Sequence, residues 1–292
     1  MPHIQFAIVG CGRLGTNLGI QLQAAGHTAT GLSARHMQTI QESNQLINAE
    51  CIDTCPWKVT SKADVVFITT PDDAIEQTCQ QLIENNGMRQ NAIIYHCSGS
   101  LSSSILASAI KEGHGAGSFH PLQSFPVKHI TPNPFENIYV SVEGSKEAIE
   151  QGRIIADDLN AMITEVSTEG KTLYHAAAVV ASNYLVTLLE LARQLNVHAG
   201  IPDNIALKVL EPLIQGTLKN IDKHGVTNAL TGPISRGDLR TIQNHVISIT
   251  KDLPDFKNLY NTLGQYTIPI ARSQHLISED TASKLQKELV IR

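Results

Sequence analysis

Short runs of apolar and β-branched residues alternate with amphipathic stretches through the first 165 or so residues, and the two periods separate cleanly. Runs at 5–9, 28–32, 65–70, 93–97, 116–119, 138–142 and 162–166 predict strands. Helical periodicity predicts helices over 14–25, 73–84 (with Asp72 as its cap), 102–111 and 146–159. Strands alternating with helices in this way imply an α/β fold, a parallel sheet covered by helices. A proline-rich stretch at 120–137 shows little periodicity and reads as a loop. Beyond about Thr168 the strand pattern stops. The segment 171–195 is apolar on nearly every face through its middle, which predicts a helix buried on most sides, at the centre of a bundle or a dimer. Helical periods follow at 202–222, 238–251, 255–273 and 278–289. The expected division is therefore a nucleotide-binding α/β domain over 1–166 and an all-α domain over 167–292 that binds substrate and dimerises.

Composition agrees with two folded domains. The 292 residues are 42% hydrophobic and 17% charged, enough for a sizeable core without disulfides or metals. Against 27 acidic residues stand 22 basic ones, a net charge of −5 that argues against a nucleic-acid or anionic-membrane surface. No leader-like segment opens the chain, and the expected location is cytoplasmic. Five scattered cysteines read as reduced thiols. Cys51 and Cys55 have no second pair at finger-like spacing, so no metal site is expected.

The first predicted strand runs into Gly10-Cys11-Gly12-Arg13-Leu14-Gly15, where a helix begins. This is G-x-G-x-x-G in its strand–turn–helix setting, the mark of a doubly wound Rossmann sheet. Gly10 permits the turn, Gly12 lets backbone approach a pyrophosphate, and Gly15 lets the helix that starts with Arg13 and Leu14 pack close. The phosphates then meet the positive helix N-terminus. About 20 residues on, an NAD site usually offers a carboxylate, but here the second strand exits into Ser33, Ala34 and Arg35. A guanidinium pairs with a 2′-phosphate, so NADP is the expected cofactor; otherwise Arg35 is a solvated charge. Thr70 and Pro71, at the carboxyl end of a strand, border the cofactor or form an ordinary turn and cap.

Two further turns should face the nicotinamide. One holds His96 and Ser98, the other His120 before Pro121. A histidine there can exchange a proton as hydride moves. Ser98 is a candidate for a hydrogen bond to the substrate oxygen, and His120 is either the proton carrier or a structural imidazole. On the first long C-terminal helix, Lys171 and His175 share a face, with Ser182 two turns on and Asn183 rotated further round. In an apolar helix such groups need partners, which a cleft between domains would supply; the alternative leaves Lys171 in solvent and His175 in a satisfied core contact. Arg236, in a polar connection at 230–238, either clamps an acidic substrate or belongs to a linker in which Asp238 caps the next helix.

At four places, GCGRLG (10–15), SFHPLQSF (118–125), KTLYHAAAVVASNY (171–184) and ALTGPISRGD (229–238), the sequence resembles a family of two-domain proteins. These are Rossmann-like with a C-terminal domain of unknown function and are named NADP-dependent oxidoreductases. The resemblance spans nearly the whole chain. It implies a helical domain like that of 6-phosphogluconate dehydrogenase, a dimer, and more distant similarity to pyrroline-carboxylate, ketopantoate and prephenate enzymes. Lys171 looks like the lysine of the related β-hydroxyacid dehydrogenases, but His175 stands where their asparagine is expected. His120-Pro121 looks like the His-Pro element of prephenate dehydrogenases. The family brings no particular reaction with it. The expectation is hydride transfer between NADP(H) and a small, acidic carbonyl, hydroxy or imine compound, with His120, Lys171, His175 and Ser98 catalytic and Ser182, Asn183 and Arg236 on the substrate. The competing expectation is a non-catalytic NADP(H)-sensing or partner-binding dimer, and a deazaflavin is disfavoured by Ser33 and Arg35.

Overall fold

The computed structural model describes residues 3–290. In chain order, β1 (Gln5–Val9), α1 (Arg13–Ala24), β2 (Thr28–Ser33), α2 (Met37–Ile47), β3 (Cys51–Ile52), α3 (Trp57–Thr60), β4 (Val65–Ile68), α4 (Asp72–Glu84), β5 (Ile93–His96), α5 (Ala107–Lys111), β6 (Gly115–Pro121), β7 (Tyr139–Gly144), α6 (Lys146–Asp158) and β8 (Met162–Glu165) form a sheet and its helices. Then come α7 (Lys171–Val179), a π-helical turn Val180–Tyr184, α8 (Leu185–His198), α9 (Asp203–Ala206), α10 (Glu211–Ala229), α11 (Leu239–Asp252), α12 (Lys257–Ser273) and α13 (Glu279–Glu288). Two compact units result, divided between Ala181 and Ser182, so that α7 stays with the sheet.

The strand order is β3-β2-β1-β4-β5-β6-β7-β8. Pairing is parallel except between β6 and β7, and the order reverses between β1 and β4, where an open α/β sheet collects ligands. β4, in the middle of the sheet, is apolar and buried at every position because both faces are covered. On β1, Phe6 and Ile8 pack into one buried cluster with Leu18 and Leu22 of α1, while Ala7 and Val9 pack into the other with Ile75, Cys79 and Leu82 of α4.

Three elements escape the sequence pattern, the four-residue α3 among them. The edge strand β3 has only two residues, one of them exposed, and α2 buries only Ile40, Ser43 and Ile47. The helix expected over 202–222 is instead broken before α10, whose first turn carries Pro212. A proline cannot donate to the preceding turn and favours a helix start. In the second unit, Ile242, Ile268, Ala282, Leu285 and Leu289 close a small core between α11, α12 and α13.

The burial expected for 171–195 is not found within the single chain. Of α7 and α8 only Lys171 and Leu191 are buried, while Leu173 is 77% and Val186 67% exposed. Periodicity reports that a face is apolar and says nothing of what covers it. By length and composition Lys171–His198 is also long and apolar enough to cross a membrane.

Candidate active site

The glycine turn ends β1 at the reversal of strand order. Gly10 has φ of +117°, and a Cβ on it would lie 2.7 Å from the Thr69 carbonyl carbon. A Cβ on Gly15 would lie 2.2 Å from Gly10 O, whereas one on Gly12 would meet nothing within 4 Å. So Gly10 and Gly15 are demanded by the protein's own packing, and Gly12 borders open space. No side chain caps α1 at Gly12, which leaves the first amides of the helix, at Arg13, Leu14 and Gly15, for a ligand. A cavity of about 390 Å³ opens there, lined by Gly10, Gly12, Ser33, Arg35, Thr70 and Pro71 among others. Thr70 Oγ1 is buried without a partner, an unmet polar group of the kind a bound nucleotide satisfies. Arg35 is exposed on the rim with no ion pair among the described residues. These residues fit a dinucleotide.

Further along the same sheet edge, the turn after β5 and the end of β6 meet the first turns of α7. Lys171 Nζ donates to Ser98 O at 3.3 Å and to Ser118 Oγ at 3.0 Å. Burial pushes this ammonium below its usual pKa, against the opposing charges of Glu143, Cys97 and Asp72. Lys171 therefore lies in neither solvent nor an open pocket but ties α7 to two strand ends. One turn on, Tyr174 Oη lies 3.2 Å from His120 Nδ1. His120 and His175 stand 6.3 Å apart between ring centroids, and both edge the backbone of Gly99. A Cβ on Gly99 would come within 2.7 Å of His175 Cδ2 and 2.8 Å of His120 Nε2. Burial first, then the charge of Lys171, pushes the His120 imidazolium down to about 4, so the ring is neutral at pH 7.

Ser98 sits differently from expectation. Its hydroxyl donates to Asp72 at 2.8 Å and accepts from the amides of Ser100 and Leu101, which commits it to shaping the turn. His96 is fully buried, accepts from Ser98 N, and keeps Nε2 without a partner. Two residues of this cluster had no sequence signal. Tyr174 reads as part of an apolar helix, and its only hint is its place between Lys171 and His175. Glu143, buried on β7, accepts from Ser103 N, Ser103 Oγ and Thr168 Oγ1 at 2.7–2.8 Å. It holds the segment just before α7 and supplies a negative charge toward Lys171.

Within the second unit, Ser182 and Asn183 are exposed in the π-helical turn, a local distortion that often marks functional positions. Arg236 is exposed, and Asp238 caps α11 by accepting from Thr241 N.

Residues 1–121 match a Rossmann-like domain and residues 138–267 match a domain of unknown function, DUF2520. The two matched segments together take in most of the chain. The DUF2520 match begins before β7, so it takes in the last part of the sheet and carries Glu143, Lys171, Tyr174 and His175, while the Rossmann-like match carries His120. Among solved structures, the chain is similar to a candidate NADP oxidoreductase from Bacteroides fragilis. Identity is 27%, coverage is 94% of this chain and 98% of that one, and the TM-score is 0.72. A protein from Thermotoga maritima aligns at 24% identity over 92% of this chain and 99% of that one, with a TM-score of 0.71. The pyrroline carboxylate reductase of Plasmodium falciparum, solved with NADP bound, shares the fold at 13% identity and a TM-score of 0.58, over 99% of this chain and 100% of that one. No curated protein matches this sequence.

Proposed function

We propose that this chain is an oxidoreductase that moves a hydride between NADP(H) and a small carbonyl, hydroxy or imine compound held beside Gly99. The observation that carries this reading is the convergence of His120 and His175 on one turn, at the sheet edge that also bears the uncapped glycine turn. A nicotinamide there supplies or accepts the hydride. The backbone amides at the start of α1 hold the pyrophosphate, Thr70 Oγ1 reaches the nucleotide, and Arg35 takes the additional ribose phosphate, which favours NADP over NAD. The Bacteroides relative's description as a candidate NADP oxidoreductase supports the same choice.

His120 Nε2 faces the position of the reacting group and hydrogen-bonds its heteroatom, while His175 flanks it from α7. Lys171 has spent two donors on Ser98 O and Ser118 Oγ, so its part is to hold α7 and keep His120 neutral. The uncovered apolar faces of α7 and α8 favour a homodimer.

The test is direct. Purified protein is titrated with NADPH and NADH by calorimetry, then assayed for NADPH oxidation with a panel of small carbonyl and imine compounds. Saturable binding with turnover that His120→Ala abolishes supports the reading. No binding of either nucleotide overturns it, and binding without any turnover favours a sensor.

A further inference from the structure

His120 on β6 and Ser141 on β7 are direct cross-strand partners, so their side chains leave the sheet on one face. α7 lays Tyr174 against His120: Oη is 3.2 Å from Nδ1, and the rings meet at 90° with centroids 5.7 Å apart. Ser141 Oγ is buried and has no hydrogen-bond partner, and it lies toward the Tyr174 phenol, whose pKa burial raises and the Ser141 hydroxyl lowers. A buried hydroxyl without an acceptor is costly, and the phenolic oxygen is the acceptor at hand. A Ser141 hydroxyl donating to Oη would leave the phenol to direct its own proton to His120 Nδ1. A neutral imidazole carries one proton, which then sits on Nε2. Nε2 is the nitrogen that faces Gly99.

We propose that Tyr174, backed by Ser141, is a positioning residue that locks His120 in its Nε2–H tautomer, so that the site selects a substrate presenting a lone pair there, a carbonyl oxygen, over a protonated imine. A neutral N–H can polarise a carbonyl without transferring its proton, and it repels the N–H of an iminium. Burial of the ring keeps the cation out of the way at pH 7. The inference rests on the reading of His120 as the group that meets substrate.

The test needs no substrate at first. Protein labelled with [15N]histidine is examined at pH 7 by long-range proton–nitrogen correlation, with the His120 signals assigned by their loss in His120→Gln. In the wild type, Nδ1 should show the unprotonated shift and Nε2 the protonated one. Tyr174→Phe should collapse this into an average of two tautomers, and Ser141→Ala should move it part of the way. Wild type protonated on Nδ1 overturns the proposal, as do variant spectra identical to wild type. If Tyr174→Phe does not fold, Ser141→Ala carries the same comparison. In the substrate panel, wild-type turnover of carbonyls in preference to cyclic imines is expected, and turnover of imines alone overturns the selectivity. Calorimetry with NADPH is read separately, so absence of nucleotide binding sinks the oxidoreductase reading while the nitrogen shifts still report on the tautomer.

Discussion

Lys171 Nζ lies 3.0 Å from Ser118 Oγ, and only 1% of the residue is exposed. The ammonium is a strut between α7 and the strand ends, and its charge is felt by both His96 and His120. Lys171→Met should cost about 1–3 kcal/mol in urea unfolding, because Ser98 O and Ser118 Oγ lose a donor. The same change should raise the His120 pKa from about 4, since Lys171 is the second cause of its depression after burial. An NMR titration in which His120 does not move would show that the charge does not reach it.

His96 is fully buried, and burial followed by the Lys171 charge lowers its pKa from 6.5 to about 4. Above pH 6.5 it is neutral whether folded or unfolded and does not alter stability. Below that, the unfolded chain takes up a proton that the folded one refuses, so stability should fall between pH 6.5 and 4 and this loss should level off beneath 4. The contribution is at most about 3 kcal/mol. Urea unfolding at a series of pH values measures it, and His96→Asn should flatten the slope.

Arg35 stands on the rim of the glycine-turn cavity without an ion pair among the described residues. Arg35→Ala should weaken NADPH binding at least about tenfold, or about 1.4 kcal/mol, and leave NADH nearly untouched. Equal losses for the two nucleotides in calorimetry would reject its role as a phosphate reader.

Two glycines make a matched pair of tests. A Cβ at position 15 would collide with Gly10 O at 2.2 Å, so Gly15→Ala should distort the turn and reduce affinity for both nucleotides at least about tenfold. A Cβ at position 216 meets nothing within 4 Å on α10, so Gly216→Ala should leave nucleotide binding intact and stabilise the helix by roughly 0.5–1 kcal/mol. Nucleotide affinity unchanged in the first variant would remove the turn from the cofactor site.

Leu173, Val186, Leu213 and Val226 are 63–77% exposed in the single chain. Exposure of that much apolar surface is characteristic of an interface. Light scattering should give twice the chain mass, and Val186→Glu with Leu213→Glu should shift the species toward one chain mass. A wild-type monomer that stays in solution without detergent would reject the dimer.

Short continuous runs of apolar and β-branched residues announced the strands, and a strand leading into G-x-G-x-x-G announced the cofactor turn. Both are local signals, written within ten or so residues of one another. α2 and β3 were not legible because an edge strand and a mostly polar helix carry little periodicity. Arg35 and Thr70 were legible as candidates because strand ends at a reversal of sheet order face the ligand. For Ser98 the residue was found but not its use, since the Asp72 carboxylate that accepts its hydrogen bond lies 26 residues away.

By itself, then, the sequence determined the α/β class, the helical second half and the nucleotide-binding turn, because backbone periodicity and glycine stereochemistry are local properties. Only the tertiary structure decided that Lys171 is a buried strut, that Glu143 anchors the approach to α7, and that Tyr174 meets His120. Those relationships rest on hydrogen bonds between residues 25 to 73 positions apart, which exist only once β6, β7 and α7 have packed.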